Sequence, residues 1–284
     1  MEPKTAVTVA IATFNRANVL PRAIASVLRQ TVQSFEIIVV DDGSTPSTEP
    51  VVRGIGDPRI RYIRHERNQG LPAARNTAIR AAAGEYIAFL DDDDEWLEDK
   101  LEKQRRALAR CDAVLTAAYV NDRSRVKRFK RATVTVDDLR KGNAFDPSTL
   151  MVKTAVMREL LFDASLRVGE DWDAFIRIAR KYRVHYLREP LIVYSEQLPL
   201  RMTAEATALT LPQLEQRMSI LHKHRKFFGP FWFNYHTAAF LLSHLGARAD
   251  KSARIRYAIQ RCGVVPVMRL LLGKAMKHGL AGPS

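Results

Sequence analysis

Cysteine is scarce, with only Cys111 and Cys262 among 284 residues. One pair cannot build the disulfide framework of a small secreted domain, so a reducing compartment is expected and thiol chemistry is not. Long apolar runs are also missing. No uninterrupted stretch approaches the roughly 20 residues that span a bilayer. The apolar segment 6–14 lacks a basic leader and a small-residue cleavage site, so it is expected to be a buried strand, not a signal peptide. A chain neither secreted nor integral to a membrane is expected. Acidic residues are outnumbered, 31 against 45 Lys and Arg, for a formal net charge of +14. Hydrophobic residues are not lacking: at 46% they suffice for a core, which excludes disordered and collagen-like classes.

The charge is unevenly placed. Residues 1–121 hold 16 basic and 17 acidic residues, whereas residues 122–284 hold 29 basic and 14 acidic and so carry the whole excess. A uniformly basic nucleic-acid binder does not divide this way, and no nucleic-acid motif is present, so nucleic acid is not an expected partner. There is no internal repeat and no low-complexity linker.

The first half alternates strand and helix signals. Segments 7–12, 35–40, 59–64 and 86–90 read as strands. Helices are expected at 18–28, capped by Asn18 and with Pro21 in the first turn, at 71–83, and at 95–110. Repeated βα units argue for a mainly parallel sheet with helices on both faces, an α/β class. After residue 120 the pattern loosens. An exposed hairpin or loop is expected at 123–131, strands at 150–152, 184–187 and 191–194, and helices at 137–141 and 170–182. From about residue 211 the signal is purely helical, at 212–228, 231–245, 247–261 and 264–278.

The acids fall directly after strands. Asp41 and Asp42 follow EIIVV, and Asp91, Asp92, Asp93 and Asp94 follow YIAFL. In open parallel sheets ligands bind beyond the carboxyl ends of the strands, so two strands deliver carboxylates to one edge. Four adjacent carboxylates repel one another unless a cation or solvent intervenes, and hard divalent cations such as Mg²⁺ or Mn²⁺ want oxygen ligands. A solvated acidic loop that caps the next helix is the plain alternative. For Asp41-Asp42-Gly43-Ser44 the choice lies between a ribose or base contact and an Asx turn.

Three further stretches carry polar groups at element ends. Thr13, Asn15 and Arg16 follow the first strand and can reach a nucleotide, or serve as ordinary loop residues. Arg75 and Asn76 sit early in a helix rich in small residues. Glu170 and Asp171 open a helix followed by Trp172. They are either dipole-stabilising acids, or a catalytic carboxylate beside an aromatic wall suited to a sugar face.

Together ATFNR, VVDDGS, NQGLPAARN, GEYIAFLDDDDEW and GEDWDAFIRIA, in that order over roughly residues 6–195, resemble a family 2 glycosyltransferase with the GT-A fold. The resemblance implies a nucleotide-sugar donor, UDP-linked by family frequency, a divalent cation (Mn²⁺ or Mg²⁺) and inversion at the anomeric carbon. It implies that Thr13, Asn15 and Arg16 lie at the nucleotide, and that Asp41 or Asp42 takes the base or its ribose. Arg75 then lies near the base and diphosphate, and Asp91 and Asp92 contact ribose and donor sugar. Asp93 is the metal ligand of a DXD-type motif begun by Asp91. Asp171 is the catalytic base, Glu170 its neighbour, and Trp172 a wall of the acceptor site. One departure stands out. Many relatives carry a Tyr-Arg-x-His-like stretch after the last core strand, but residues 195–203 after Tyr194 hold no histidine, which leaves Arg201 as the candidate positive charge.

Residues 205–284 hold 12 basic and 3 acidic residues, and the last helix mixes Val264, Val267, Met268, Leu271, Leu272 and Met276 with Arg269, Lys274 and Lys277. Such a helix suits an anionic membrane surface, or a lid with a solvated basic face. The expected organisation is a GT-A domain over 1–204, with a nucleotide-sugar half at 1–121 and an acceptor half at 122–204, followed by a basic amphipathic helical region at 205–284. The expected protein is a cytoplasmic, membrane-peripheral transferase acting on a lipid-linked, lipopolysaccharide or surface-polysaccharide acceptor. A soluble or protein acceptor, and a non-catalytic nucleotide-sugar-binding protein, are the alternatives.

Overall fold

The computed structural model describes residues 6–121, 123–166, 168–195, 209–243, 245 and 250–279. The chain forms two compact units: Met1–Leu139 with Asn143–Leu198, and Arg140–Gly142 with Pro199–Ser284. The expected boundary at 204/205 and Arg201 lie outside the described residues.

The first unit is built on one sheet. Strands β1 (Val7–Thr13) and β2 (Phe35–Asp41) are buried almost throughout, as their near-continuous apolar runs VTVAIAT and FEIIVVD require when helices cover both faces. With β3 (Ile60–Arg64) and β4 (Tyr86–Asp91) they form a parallel block in the order β3-β2-β1-β4. The remaining strands are β5 (Glu95–Trp96), β6 (Ala113–Val120), β7 (Arg125–Lys127), β8 (Thr133–Val134), β9 (Met151–Lys153) and β10 (Val184–Tyr194). The three-residue β9 lies between β4 and β6, antiparallel to both, and β10 runs parallel to β6. The carboxyl ends of β1, β2 and β4 share one register edge: Thr13 pairs with Asp41 and Ala12 with Asp91.

Helices α1 (Leu20–Leu28), α2 (Glu49–Gly54), α3 (Leu71–Ala81), α4 (Lys100–Leu108), α5 (Val136–Lys141), α6 (Thr154–Leu160) and α7 (Glu170–Lys181) complete this unit's elements, with α5 running into the second unit at Arg140. Helix α1 buries Leu20, Ala23, Ile24 and Val27 from one face, each large apolar side chain contributing roughly 1.5–3 kcal/mol. Its N-cap is Val19, without a side-chain cap, so Asn18 does not have the expected capping role.

Two expectations change. The helix expected from residue 95 begins only at Lys100, because Glu95 and Trp96 pair with Val193 and Ile192 of β10. The Trp96 indole, buried in the core, donates to the Ser148 carbonyl at 3.1 Å. The strands expected at 184–187 and 191–194 form one strand, β10, whose register against β6 shifts around Pro190. At 123–131 the hairpin appears as β7, exposed along its length and antiparallel to β6.

The second unit is helical: α8 (Leu211–Gln216), α9 (Ser219–Lys223), α10 (Arg225–Leu241), α11 (Lys251–Cys262) and α12 (Val264–Gly279). Gly229, at φ 68°, and Pro230 kink α10. Arg140 belongs here: its Nε donates to the Phe227 carbonyl at 2.9 Å and its own carbonyl accepts from His236 Nε2 at 2.8 Å. Among the described residues no helix is long and apolar enough to cross a membrane.

Candidate active site

The four aspartates after β4 meet four different environments. Asp91 ends the strand half-exposed, and its Oδ1 accepts from Arg75 Nη2 at 2.7 Å. Asp92 turns inward. Its Oδ2 accepts from Thr13 Oγ1 at 2.7 Å and its Oδ1 from Arg16 Nη1 at 3.0 Å. Burial pushes its carboxyl up to about 6, against the opposing pull of Thr13 and Arg16. Asp93 Oδ2 shares Arg16 Nη1 at 3.0 Å. Asp94 is fully buried, and its carboxyl is raised well above the usual range by burial and by the neighbouring Asp91 and Asp93. It accepts from Ser148 Oγ at 2.7 Å and from the Ser195 amide at 3.2 Å. Ser148 Oγ also accepts from the Asp91 amide at 3.0 Å, so the acidic turn is tied to the segment before β9. Adjacent position alone does not reveal this role of Asp94, but a fourth acid after an apolar strand has little water to retreat into.

Arg75 organises the centre of the site. It lies in α3, and its side chain is 4% exposed. Besides Asp91 it reaches Glu170 Oε1 with Nη1 at 3.0 Å, which joins the acidic turn to the start of α7. The next residue, Asn76, grips the Phe162 backbone at both amide and carbonyl, each at 2.8 Å, and the Phe162 ring lies under the Arg75 guanidinium at 5.3 Å. The helix therefore cannot rotate Arg75 out of the site without breaking this clasp.

Gly169, at φ 81°, supplies the left-handed turn that starts α7, so Glu170 and Asp171 emerge at the helix's first turn. Asp171 is half-buried. Its Oδ2 accepts from Asn143 Nδ2 at 2.9 Å and its Oδ1 from the Trp172 amide at 2.6 Å. Burial first, and then the Glu170 charge, raise its carboxyl to about 7. A carboxylate with that affinity can take a proton at neutral pH, as a general base must. Asn143 was not foreseen, since a lone Asn in a loop carries no periodic signal.

Several residues expected at the nucleotide make hydrogen bonds within the scaffold. Asp41 is fully buried. It accepts from the Ser44 and Thr48 amides at 2.7 and 2.9 Å, from Thr48 Oγ1 at 2.7 Å and from Tyr62 Oη at 2.6 Å. These donors hold its carboxyl well below the usual range despite burial. Asp42 is 3% exposed, and it accepts from the Gln69 and Gly70 amides at 2.9 and 2.8 Å and contacts His65 Nδ1 at 2.7 Å. Both carboxylates close loops at the end of β2. Gly43, directly after Asp42, sits at φ 81°, and a Cβ there would lie 2.6 Å from the Arg67 backbone. Asn15, at φ 56°, likewise ties two loops: its amide donates to Ser44 Oγ at 2.9 Å and its Oδ1 accepts from the Thr45 amide at 2.8 Å. Trp172, expected as an acceptor wall, is buried. It is 7% exposed, and its Nε1 donates to the Leu139 carbonyl at 2.8 Å.

Asp91 and Asp93 fit a hard divalent cation in donor chemistry, being oxygen ligands at one strand end with Asp91 open to solvent. Among the described residues no group of three or more His, Cys, Asp and Glu side chains is arranged to hold a metal. A cation here would therefore complete its shell from water or phosphate oxygens, the habit of Mg²⁺.

The family model described as Glycosyl transferase family 2 matches residues 8–166. An uncharacterized glycosyltransferase of Rickettsia felis is 35% identical over 187 residues, covering 62% of this chain and 31% of that protein. The chain thus spans about a third of that relative's length. Succinoglycan biosynthesis protein ExoO of Rhizobium meliloti is 34% identical over 189 residues, covering 58% of this chain and 53% of its own. In fold, the chain is similar to S. aureus TarS 1–349 in complex with UDP-GlcNAc, with TM-score 0.64 and 19% identity over 94% of this chain and 71% of that one. It is also similar to the mannosyltransferase PcManGT of Pyrobaculum calidifontis in complex with GDP-Man and Mn²⁺, with TM-score 0.60 and 22% identity over 98% and 81%. The shared fold is GT-A, an α/β sheet followed by C-terminal helices.

Proposed function

The chain belongs to glycosyl transferase family 2, and from that premise we propose that it transfers a sugar, with inversion, from a nucleotide-diphosphate sugar to an acceptor hydroxyl. A UDP-sugar is the favoured donor. The acceptor is a lipid-linked, lipopolysaccharide or surface-polysaccharide glycan, in keeping with the succinoglycan role named for ExoO. The observation that carries this reading is the Arg75 bridge. It brings the acidic edge of β4 and the first turn of α7 within one side chain's reach, which supports a donor and a base acting on one space.

In this reading Asp171 holds the general base. Asn143 and the Trp172 amide orient its carboxylate, and it takes the proton from the acceptor hydroxyl as that oxygen attacks C1 of the donor sugar. One base suffices for a single inverting displacement. Glu170 holds Arg75, and Arg75 keeps positive charge beside the departing diphosphate. Arg16 holds Asp92 and Asp93 in place, and Thr13 fixes the Asp92 carboxylate beside the end of β1. Asp41, Asp42 and Asn15 act by fixing the loops that frame the nucleotide. Mn²⁺ or Mg²⁺ bound through Asp91 and Asp93 would offset charge developing on the diphosphate.

The proposed organisation keeps a catalytic domain to about residue 204, with its donor half at 1–121, and a basic helical region after it. The exposed strand β7, with Arg125 and Lys127, offers positive charge on the acceptor half. The protein is proposed to work from the cytoplasm as a peripheral protein at the inner membrane face. A screen of nucleotide-diphosphate sugars for nucleotide release with Mn²⁺ tests the reading: release from one donor, lost in Asp171→Asn and Asp93→Ala, is expected. No release from any donor, or release unaffected by both variants, would overturn it.

A further inference from the structure

Helix α12 carries two apolar faces. Val267 and Leu270 are buried in the second unit, at 0% and 7% exposure. Val264, Val265, Met268 and Leu272 point outward, at 57%, 69%, 44% and 57%. Spacings of four place Val264, Met268 and Leu272 in one line along the helix, with Val265 beside it. Six large hydrophobics are exposed among the described residues, and four of them make this one stripe. Scattered exposed apolar residues need no explanation, but a contiguous stripe does.

The surroundings of the stripe say what covers it. Arg269 borders it on the helix, exposed, with its guanidinium 5.4 Å from the Phe231 ring and 5.7 Å from the Trp232 ring of α10. Both rings are half-buried, and Tyr235 packs beside them at 5.4 Å from Trp232. Aromatic rings of this kind favour the level of lipid headgroups. Arg261 lies exposed just before α12, with its Nε 3.8 Å from Glu215 Oε1, and Arg256 is exposed on α11. The only acids in residues 205–284 are Glu205, Glu215 and Asp250. A second copy of the chain would bring the same positive charge to the contact and be repelled. An anionic bilayer matches both the apolar stripe and its cationic border.

We propose that Val264, Val265, Met268 and Leu272 of α12 insert among the acyl chains of an anionic membrane, while Arg261 and Arg269 engage lipid phosphates. This rests on the reading that the acceptor is membrane-borne, and it names the face that holds the enzyme there.

The test is flotation of the full chain with phosphatidylcholine vesicles made with or without phosphatidylglycerol. Wild type is expected to float with the anionic vesicles and to be released by salt. Val265→Glu combined with Met268→Glu is expected to lower the bound-to-free ratio at least about tenfold, since both apolar contacts are lost and like charge is added. Both positions are exposed, so the variant keeps the wild-type melting temperature and its nucleotide-sugar hydrolysis in solution. Three results would overturn the proposal: wild type failing to float, the double variant floating equally well, or a wild-type dimer that the double variant abolishes without any vesicle binding. Flotation as expected from a protein that releases no nucleotide would sink the catalytic reading and leave this one standing.

Discussion

Arg75 and Glu170 stand 95 positions apart in the chain, yet their side chains meet at 3.0 Å in the interior of the site. The same guanidinium reaches Asp91, so one cation serves two carboxylates from two separate elements. Burial works against its charge, but Asp91 and Glu170 outweigh it and the guanidinium is held more firmly protonated than usual. A buried cation shared in this way fixes distance and charge together.

Replacing Arg75 therefore tests the centre of the site. Arg75→Ala is expected to destabilise by about 3–5 kcal/mol, because Glu170 is left as an uncompensated buried charge. Arg75→Lys restores charge but not the fork, and is expected to lose stability less while losing at least about tenfold in kcat. Thermal melts and nucleotide-release kinetics on both variants separate the two effects.

Asp171→Asn should move activity and stability in opposite directions. The folded carboxyl titrates at about 7 against an ordinary 3.8. The folded state thus holds this proton more tightly, and stability from this group is lost as pH rises from near 4 through 7. Asn carries no such penalty, so the variant should melt above wild type at pH 8 and close to it at pH 4. Its kcat should fall by about 10²–10⁴. Wild-type kcat should rise with pH through about 7, and this limb should vanish in the residual activity of the variant.

Asp41→Asn is expected to weaken the fold without addressing the chemistry directly. Four donors stabilise the carboxylate, so the loss should be about 2–3 kcal/mol. The sign is opposite to that of Asp171. A depressed folded pKa gives stability that is present above about pH 4 and lost as pH falls below it. Melting temperatures followed from pH 7 to pH 3 should drop less steeply in Asp41→Asn than in wild type.

Trp172→Phe keeps most of the buried ring but leaves the Leu139 carbonyl without its donor. A cost of about 1–3 kcal/mol follows, with little change in acceptor KM. A large rise in acceptor KM without loss of stability would return Trp172 to the acceptor site.

Chelation should separate catalysis from folding. The acidic turn is already partly offset by Arg16 and Arg75, and Asp94 accepts from Ser148. EDTA is thus expected to abolish transfer, and Mn²⁺ to restore it, with a melting temperature shifted by less than about 2 °C in the absence of nucleotide. A large destabilisation by chelator would show that the carboxylates need the cation to fold.

The strands that frame the site were legible because VTVAIAT, FEIIVVD and YIAFLD are apolar throughout and end in polar residues. The presence of acids at that edge was legible too. Which oxygens face outward was not, since Asp41 and Asp91 both end a buried strand. Only the donors brought in by Thr48 and Tyr62 set Asp41 apart. The partner of Trp172 was hidden for a related reason: a carbonyl at Leu139, 33 residues earlier, claims its N–H. Glu95 and Trp96 looked helical by composition, and were recruited as a strand by β10, a partner far along the chain.

Strand β9 is only three residues long, yet it bonds to β4 on one side and β6 on the other. A sheet continuous through β9 leaves no hinge line between its β4 and β6 sides. On the proposed function, exchanges in the exposed strand β7 are expected to retune acceptor choice while leaving the carboxylate edge at β4 undisturbed.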